Sequence, residues 1–187
     1  RFLAKESVFR VPIVGSIIRS AGQIPVYRET REAIAAVRDA VTAVEAGECV
    51  VVYPEGTISK DPNLWPMVGK TGAARIALAT GRPVIPMAQW GACDVMRPYK
   101  KEFKILPRKT MHVWAGEPVD LSDLAERPLD HETLEIATDR IMQAMTELLE
   151  GIRGEQAPTE RFSPVKARRE ARELAERPES DSPQEDR

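Results

Sequence analysis

Cysteine is scarce in this chain. Cys49 and Cys93 are the only two, and they make neither a disulfide framework nor a zinc-ligand spacing, so a reducing compartment is the default expectation. Histidine is equally rare, with His112 and His131 alone. No apolar run reaches the ~18 residues of a membrane span, and no signal-peptide pattern opens the sequence. Neither charge sign dominates: 27 Lys and Arg stand against 29 Asp and Glu, a formal charge of −2. That balance argues against general nucleic-acid binding, which needs a basic excess. No G-x-G-x-x-G follows a strand, so dinucleotide binding lacks support. Gly69-Lys70-Thr71 ends like a phosphate loop, but Leu64 occupies the required earlier glycine, which argues against nucleotide hydrolysis. Metal-site spacings are missing too.

What is present is a chain of 187 residues, 42% apolar and 30% charged, enough for one domain with a core and a tail. It begins with Arg1 in mid-pattern, and the expectation is that something precedes it. Its charge is unevenly placed. Residues 1–28 hold Arg1, Lys5, Arg10, Arg19 and Arg28 against Glu6, a net +4, which leaves −6 for the remainder. The same stretch is rich in Phe, Val and Ile, so it reads either as a buried N-terminal helix or as a basic, apolar segment lying at a membrane surface. The buried helix is the expectation from these residues alone. A second basic cluster runs from Arg97 to Lys104 and on to Arg108-Lys109. Aromatics among cations suit phosphate, anionic lipid or nucleic acid, and a solvated loop fits them equally. From Gly154 onward nine acids, seven bases and four prolines leave few large apolar residues, so residues 154–187 read as a disordered tail with a transient helix over 166–177.

Between these ends strand and helix alternate. Ile24–Arg28 reads as a short strand. A helix follows from Thr30, with Ile34, Val37, Val41 and Val44 on one face and Gly47 as its stop. Cys49-Val50-Val51-Val52-Tyr53 reads as a strand buried on both faces, ended by Pro54. A small-residue helix over 71–80 closes at Gly81. Buried strands are expected over 84–89 and 110–115, and a last helix from Asp130 to Gly151 with Leu134, Ala137, Ile141 and Leu148 inward. This alternation predicts an α/β domain over residues 1–153, with a mixed, largely parallel sheet flanked by helices.

The densest chemistry lies in Val50–Ser59, VVVYPEGTIS. A buried strand running into Pro54-Glu55-Gly56-Thr57 places these residues at its C-terminal edge, where open α/β sheets bind ligands. Gly56 permits conformations closed to other residues. Thr57 and nearby amides can donate to an anion, while Glu55 can orient a cation or a hydroxyl.

In company with its neighbours this stretch resembles the glycerolipid acyltransferases, specifically the 1-acyl-sn-glycerol-3-phosphate acyltransferases. Three of that family's four blocks have counterparts: Gly22-Gln23-Ile24-Pro25-Val26-Tyr27-Arg28, Tyr53-Pro54-Glu55-Gly56-Thr57 and Val84-Ile85-Pro86. Gly69-Lys70-Thr71-Gly72-Ala73-Ala74 is similar to the family's lysine–glycine helix start. The resemblance covers roughly residues 1–150 and implies a glycerol-3-phosphate acyltransferase-like fold. It implies transfer of a fatty acyl group from acyl-CoA or acyl carrier protein to a lysophosphatidate hydroxyl, with no cofactor. It also implies peripheral contact with the cytoplasmic face of the membrane.

An acceptor phosphate should gather cations and helix-start amides, which singles out Arg28, Lys70 and the Gly56-Thr57 turn; with Glu55, which can orient a cation or a hydroxyl, these are the substrate-binding candidates. Ile58 stands where the family has arginine, and Lys60 is the candidate to supply that charge. The family's first block, His-x-x-x-x-Asp, in which histidine is the general base, does not occur in these 187 residues. His112 heads a His-x-x-x-x-Glu, and Ile136 occupies the matching place after His131; both histidines are expected to be structural. The expectation is therefore an acyltransferase whose catalytic block lies upstream of Arg1. The rival is a lipid-phosphate binding relative that lacks a base.

Overall fold

The computed structural model describes residues 1–26, 30–98 and 102–175. In chain order the elements are β1 (Leu3–Lys5), α1 (Glu6–Phe9), α2 (Val14–Ser20), β2 (Ile24–Val26), α3 (Thr30–Glu45), α4 (Gly72–Thr80), β3 (Met87–Trp90), α5 (Ala92–Val95), β4 (His112–Ala115), α6 (His131–Arg153) and α7 (Pro164–Ala175). β1 and β2 pair in parallel, with Leu3 opposite Ile24, and β3 and β4 pair antiparallel, with Trp90 opposite His112. The mixed α/β reading holds, in the form, among the described residues, of two two-stranded sheets, one parallel and one antiparallel rather than largely parallel.

Three helices follow their local signals closely. α3 ends before Gly47, whose φ of +84° continues no helix. Its deepest residues are Ala36, Ala40 and Ala43, which let it sit close against Ile24 and Ile76, with Val37, Val41 and Val44 at the margins. Ile34, expected on that face, is instead exposed. α4 closes on Gly81 in the left-handed conformation. α6 starts at Asp130, whose carboxylate accepts the Thr133 N–H at 2.9 Å, a side-chain N-cap. Leu134, Ala137 and Ile141 join Ala74 of α4 and Leu124 in one cluster, while Leu149 joins Trp65 and Ala88 in another.

The strands differ more from expectation. Of 49–53, only Val51 is paired, as a parallel bridge to Phe2: its N–H reaches the Arg1 carbonyl at 2.7 Å and its carbonyl accepts from Leu3. Val50 and Val52 pack on the α3 cluster, but Cys49 and Tyr53 are exposed, so the segment is covered from one side rather than both. The next strand, expected over 84–89, starts at Met87, although Pro86 and Val84 still accept from Gly116 and Val119. Every residue of β4 is exposed, against the buried strand expected there. The opening stretch is not a buried helix either. It is two short helices burying Phe9 and Gly15, with Val11, Ile13, Val14 and Ile17 turned to the surface.

The expected tail divides. Residues 154–163 are attached to the body, and α7 is an exposed helix close to the span foreseen for 166–177; residues 176–187 lie outside the description.

Candidate functional site

Past Val52 the chain dives at Pro54, which is buried, and turns back on itself, with the Gly56 N–H donating to the Tyr53 carbonyl at 3.0 Å. Gly56 has φ +64°, the left-handed region that only glycine enters freely. A Cβ there would also sit 3.3 Å from Lys70 Nζ, so the lysine side chain lies directly over the turn. The Lys70 N–H in turn donates to the Pro54 carbonyl at 2.8 Å. Residues 55–70 therefore form a loop whose two ends are tied together, with α4 starting at Gly72 just beyond the tie. The turn, the ammonium and the first helical amides share one corner of the molecule.

Inside the loop, local polar bonds set the path. Asp61 Oδ1 accepts from the Asn63 and Trp65 N–H groups at 2.9 and 3.0 Å, and the Ser59 hydroxyl donates to the Trp65 carbonyl at 3.0 Å. Met67 is fully buried, and its Sδ accepts the Lys60 N–H at 3.1 Å. The Met67 N–H donates to Glu55 Oε2 at 3.1 Å, the bond that aims the carboxylate. Burial pushes the Glu55 carboxyl above its ordinary value; the Met67 N–H opposes this, and the like charge of Asp61 adds to it. Gly69 lies so close to α6 that a Cβ would come within 2.8 Å of Met142 Cγ and Sδ.

Of the residues singled out from the sequence, the structure brings Glu55, Gly56 and Lys70 together. Thr57 is exposed beside them, and Lys60 is exposed further along the loop. Arg28 lies outside the described residues. His112 sits on β4, and His131 Nδ1 faces Glu135 Oε2 at 3.3 Å in the first turn of α6; neither belongs to the loop. Among the described residues no cluster of His, Cys, Asp and Glu is arranged to hold a metal.

Sequence reasoning missed the brace on this loop. Arg153, the last residue of α6, lies with its guanidinium carbon 3.9 Å from the Trp65 ring centre and 4.4 Å from that of Trp90. It donates to the Asn63 carbonyl at 2.8 Å and to Glu155 at 2.6 Å. The chain then turns at Gly154, the Ala157 N–H donates to Glu150 at 2.7 Å, and Phe162 O accepts the Val68 N–H at 3.0 Å. Arg161 pairs with Asp139 and donates to Gln143. A strap of residues 153–162 thus lies along residues 63–68, bonded to the Val68 amide one residue after the Met67 amide that holds Glu55. The signal available in sequence was the pair of tryptophans, Trp65 and Trp90, whose large faces need cover.

Residues 1–90 match the family model described as Acyltransferase. The chloroplastic 1-acyl-sn-glycerol-3-phosphate acyltransferase BAT2 of Brassica napus is 34% identical over 97 residues, covering 51% of this chain and 28% of that one. The 1-acyl-sn-glycerol-3-phosphate acyltransferase of Bacillus subtilis is 28% identical over 148 residues, 79% of this chain and 67% of the relative. The crystal structure of the 1-acyl-sn-glycerophosphate acyltransferase PlsC from Thermotoga maritima superposes with a TM-score of 0.56 at 26% identity, over 80% of this chain and 56% of that one. The chain thus spans less than a third of the Brassica relative and little more than half of the Thermotoga chain.

Proposed function

From the match of residues 1–90 to the acyltransferase family model we propose that the chain acylates the free hydroxyl of 1-acyl-sn-glycerol-3-phosphate, giving phosphatidate for phospholipid synthesis. The observation that carries this reading is the tied loop: a cation, Lys70 Nζ, lies against the Gly56 turn at the head of α4. An acceptor phosphate near two negative charges suits such a corner, with Lys70 as a point charge and the turn and helix-start amides as donors. Arg28 is proposed to add a planar fork, and Thr57 a hydroxyl. Lys60 is proposed to supply the charge that Ile58 does not.

In the proposed reaction the acceptor hydroxyl loses its proton to a general base and attacks the thioester carbonyl of acyl-CoA or acyl carrier protein. A C–O ester bond forms, the C–S bond breaks, and the thiolate leaves with a proton returned from the base. No cofactor takes part. Glu55 is a positioning and binding group in this scheme, held by the Met67 amide. The base is proposed to be the histidine of a His-x-x-x-x-Asp block upstream of Arg1, and the site is proposed to work peripherally at the cytoplasmic face of a membrane. The rival reading is a lipid-phosphate binder without chemistry, and the coding sequence upstream of Arg1 discriminates the two.

The test is phosphatidate formation from lysophosphatidate and an acyl-CoA, read by mass spectrometry, with the 187-residue chain and with the product of its complete coding sequence. Turnover by the complete product, cut at least tenfold by Glu55→Ala and by Arg28→Ala (about 1.4 kcal/mol of transition-state stabilisation), supports the proposal. Near-normal kcat/KM in both variants refutes the site, and an upstream sequence without His-x-x-x-x-Asp and without turnover favours the binder.

A further inference from the structure

The second basic cluster has no part in the proposed chemistry. After α5 the chain leaves the body at Met96, which bridges to Phe103, while the Lys104 N–H donates to the Val95 carbonyl at 2.7 Å. These bonds fix the two ends of the excursion side by side; residues 99–101 between them lie outside the described residues. From Glu102 to Arg108 every residue is exposed. The apolar side chains there are large: Phe103 is 64% exposed, Ile105 61% and Leu106 82%, and Met96 stands beside them at 56%. Interleaved with them are the exposed cations Arg97, Lys104 and Arg108 and the half-buried Lys109. Only Lys104 meets a carboxylate among the described residues, Glu102 at 3.4 Å.

A loop that serves only as a connection is polar, because exposed aliphatic and aromatic groups gain nothing in water. Here bulky apolar tips and cations alternate in a segment tied at its base. Nucleic acid would favour the cations but leave Ile105, Leu106 and Met96 idle, since aliphatic groups offer bases no stacking face. An anionic bilayer uses both kinds: acyl chains accept the apolar tips, and headgroup phosphates meet the cations at the depth of the interface. We propose that Met96, Arg97 and residues 102–111, acting through Phe103, Ile105, Leu106 and the cations around them, form the element by which this protein docks on an anionic membrane surface. The proposal deepens the lipid-acceptor reading and rests on it for its purpose, but docking can be measured without turnover.

The experiment is cosedimentation of the 187-residue chain with vesicles of phosphatidylcholine alone and of phosphatidylcholine mixed with phosphatidylglycerol. Two loop variants are compared, Phe103→Ser with Leu106→Ser, and Arg97, Lys104, Arg108 and Lys109 all changed to Gln. The chain is expected to pellet with the mixed vesicles and not with the neutral ones. Each variant is expected to lose at least tenfold in vesicle affinity with its circular dichroism and melting unchanged. Binding of a monomeric short-chain lysophosphatidate, measured by calorimetry, is expected to survive in both. Full vesicle binding by either variant, equal binding to neutral vesicles, or loss only on Val11→Ser with Ile17→Ser in the α2 region overturns the proposal. Parallel loss of monomer binding overturns it too, because the loop would then be part of the acceptor site. Vesicle docking that depends on the loop, in a chain that binds no lysophosphatidate at all, supports the docking element and counts only against the proposed acceptor.

Discussion

Glu55 is the residue at which the proposed function and stability are expected to pull in opposite directions. Its carboxyl is held above the ordinary glutamate value chiefly by burial. A group with a raised folded-state pKa favours the fold while protonated, so its favourable contribution is complete below the ordinary glutamate range and is lost as pH rises through the raised value. Glu55→Gln keeps an acceptor for the Met67 amide and removes the charge. The variant is expected to melt above the parent at neutral pH, with the difference vanishing in acid, as differential scanning calorimetry across pH would show. The same variant is expected to lose turnover, and coincident gain and loss would mark the carboxylate as retained for substrate rather than for the fold. Asp123 and Asp130 have the opposite sign. The Arg140 guanidinium and the Thr133 amide respectively hold their carboxyls low, so what they contribute is present above the ordinary aspartate range and lost as pH falls. The Pro-Glu-Gly-Thr turn was legible in sequence because its residue types are punctuation with chemistry attached. The hold on the carboxylate was not, since the amide that bonds it, that of Met67, comes from twelve residues further on.

The decisive element is α6. Its N-terminus was readable from Asp130 and its inner stripe from the spacing of Leu134, Ala137 and Ile141, because caps and helical periodicity are local properties. Its C-terminal residue does what no local rule announces. The Arg153 guanidinium is seated against Trp65 and Trp90 and bonded to the Asn63 carbonyl, all from distant parts of the chain. Arg153→Ala should remove both ring contacts and leave that carbonyl without its donor, at a cost of about 2 kcal/mol. Chemical denaturation would measure the loss, and faster exchange of the Met67 and Val68 amides would place it in the site loop. Arg153→Lys is expected to fall between, since an ammonium keeps the charge but not the planar face. Near the end of the loop Gly69→Ala forces a methyl against Met142, which is fully buried and has little room to yield. A destabilisation of about 1–3 kcal/mol, read from the same denaturation curves, is the expected outcome.

Taken whole, the described residues form a small body with two sheets, and the near-neutral charge of the chain hides a basic start and a basic loop. Among the described residues no helix is long and apolar enough to cross a membrane. The C-terminal segment is part of the body for its first stretch, because Ala157, Arg161 and Phe162 all bond to it. A chain ended after Arg153 is therefore expected to melt at a lower temperature than the full chain, with a red-shifted tryptophan emission as the cover over Trp65 is lost. Unchanged melting and emission would mean that the strap holds nothing. Composition concealed this attachment: a charged, proline-bearing segment reads as disordered, yet a few well-placed contacts suffice to dock it.

By itself the sequence determined where helices start and stop, through Gly47, Gly81 and Asp130, and it carried in Pro54–Thr57 and its companions the resemblance to the acyltransferases, whose family model matches residues 1–90. Those are short-range matters of dihedral preference, capping and residue chemistry. Tertiary structure alone decided that 49–53 pairs only through Val51, that the apolar residues of the opening helices face outward, and that residues 153–162 brace the site loop. Pairing, exposure and bracing depend on which distant segments come to lie alongside, and backbone hydrogen bonds and buried area are settled only once they do.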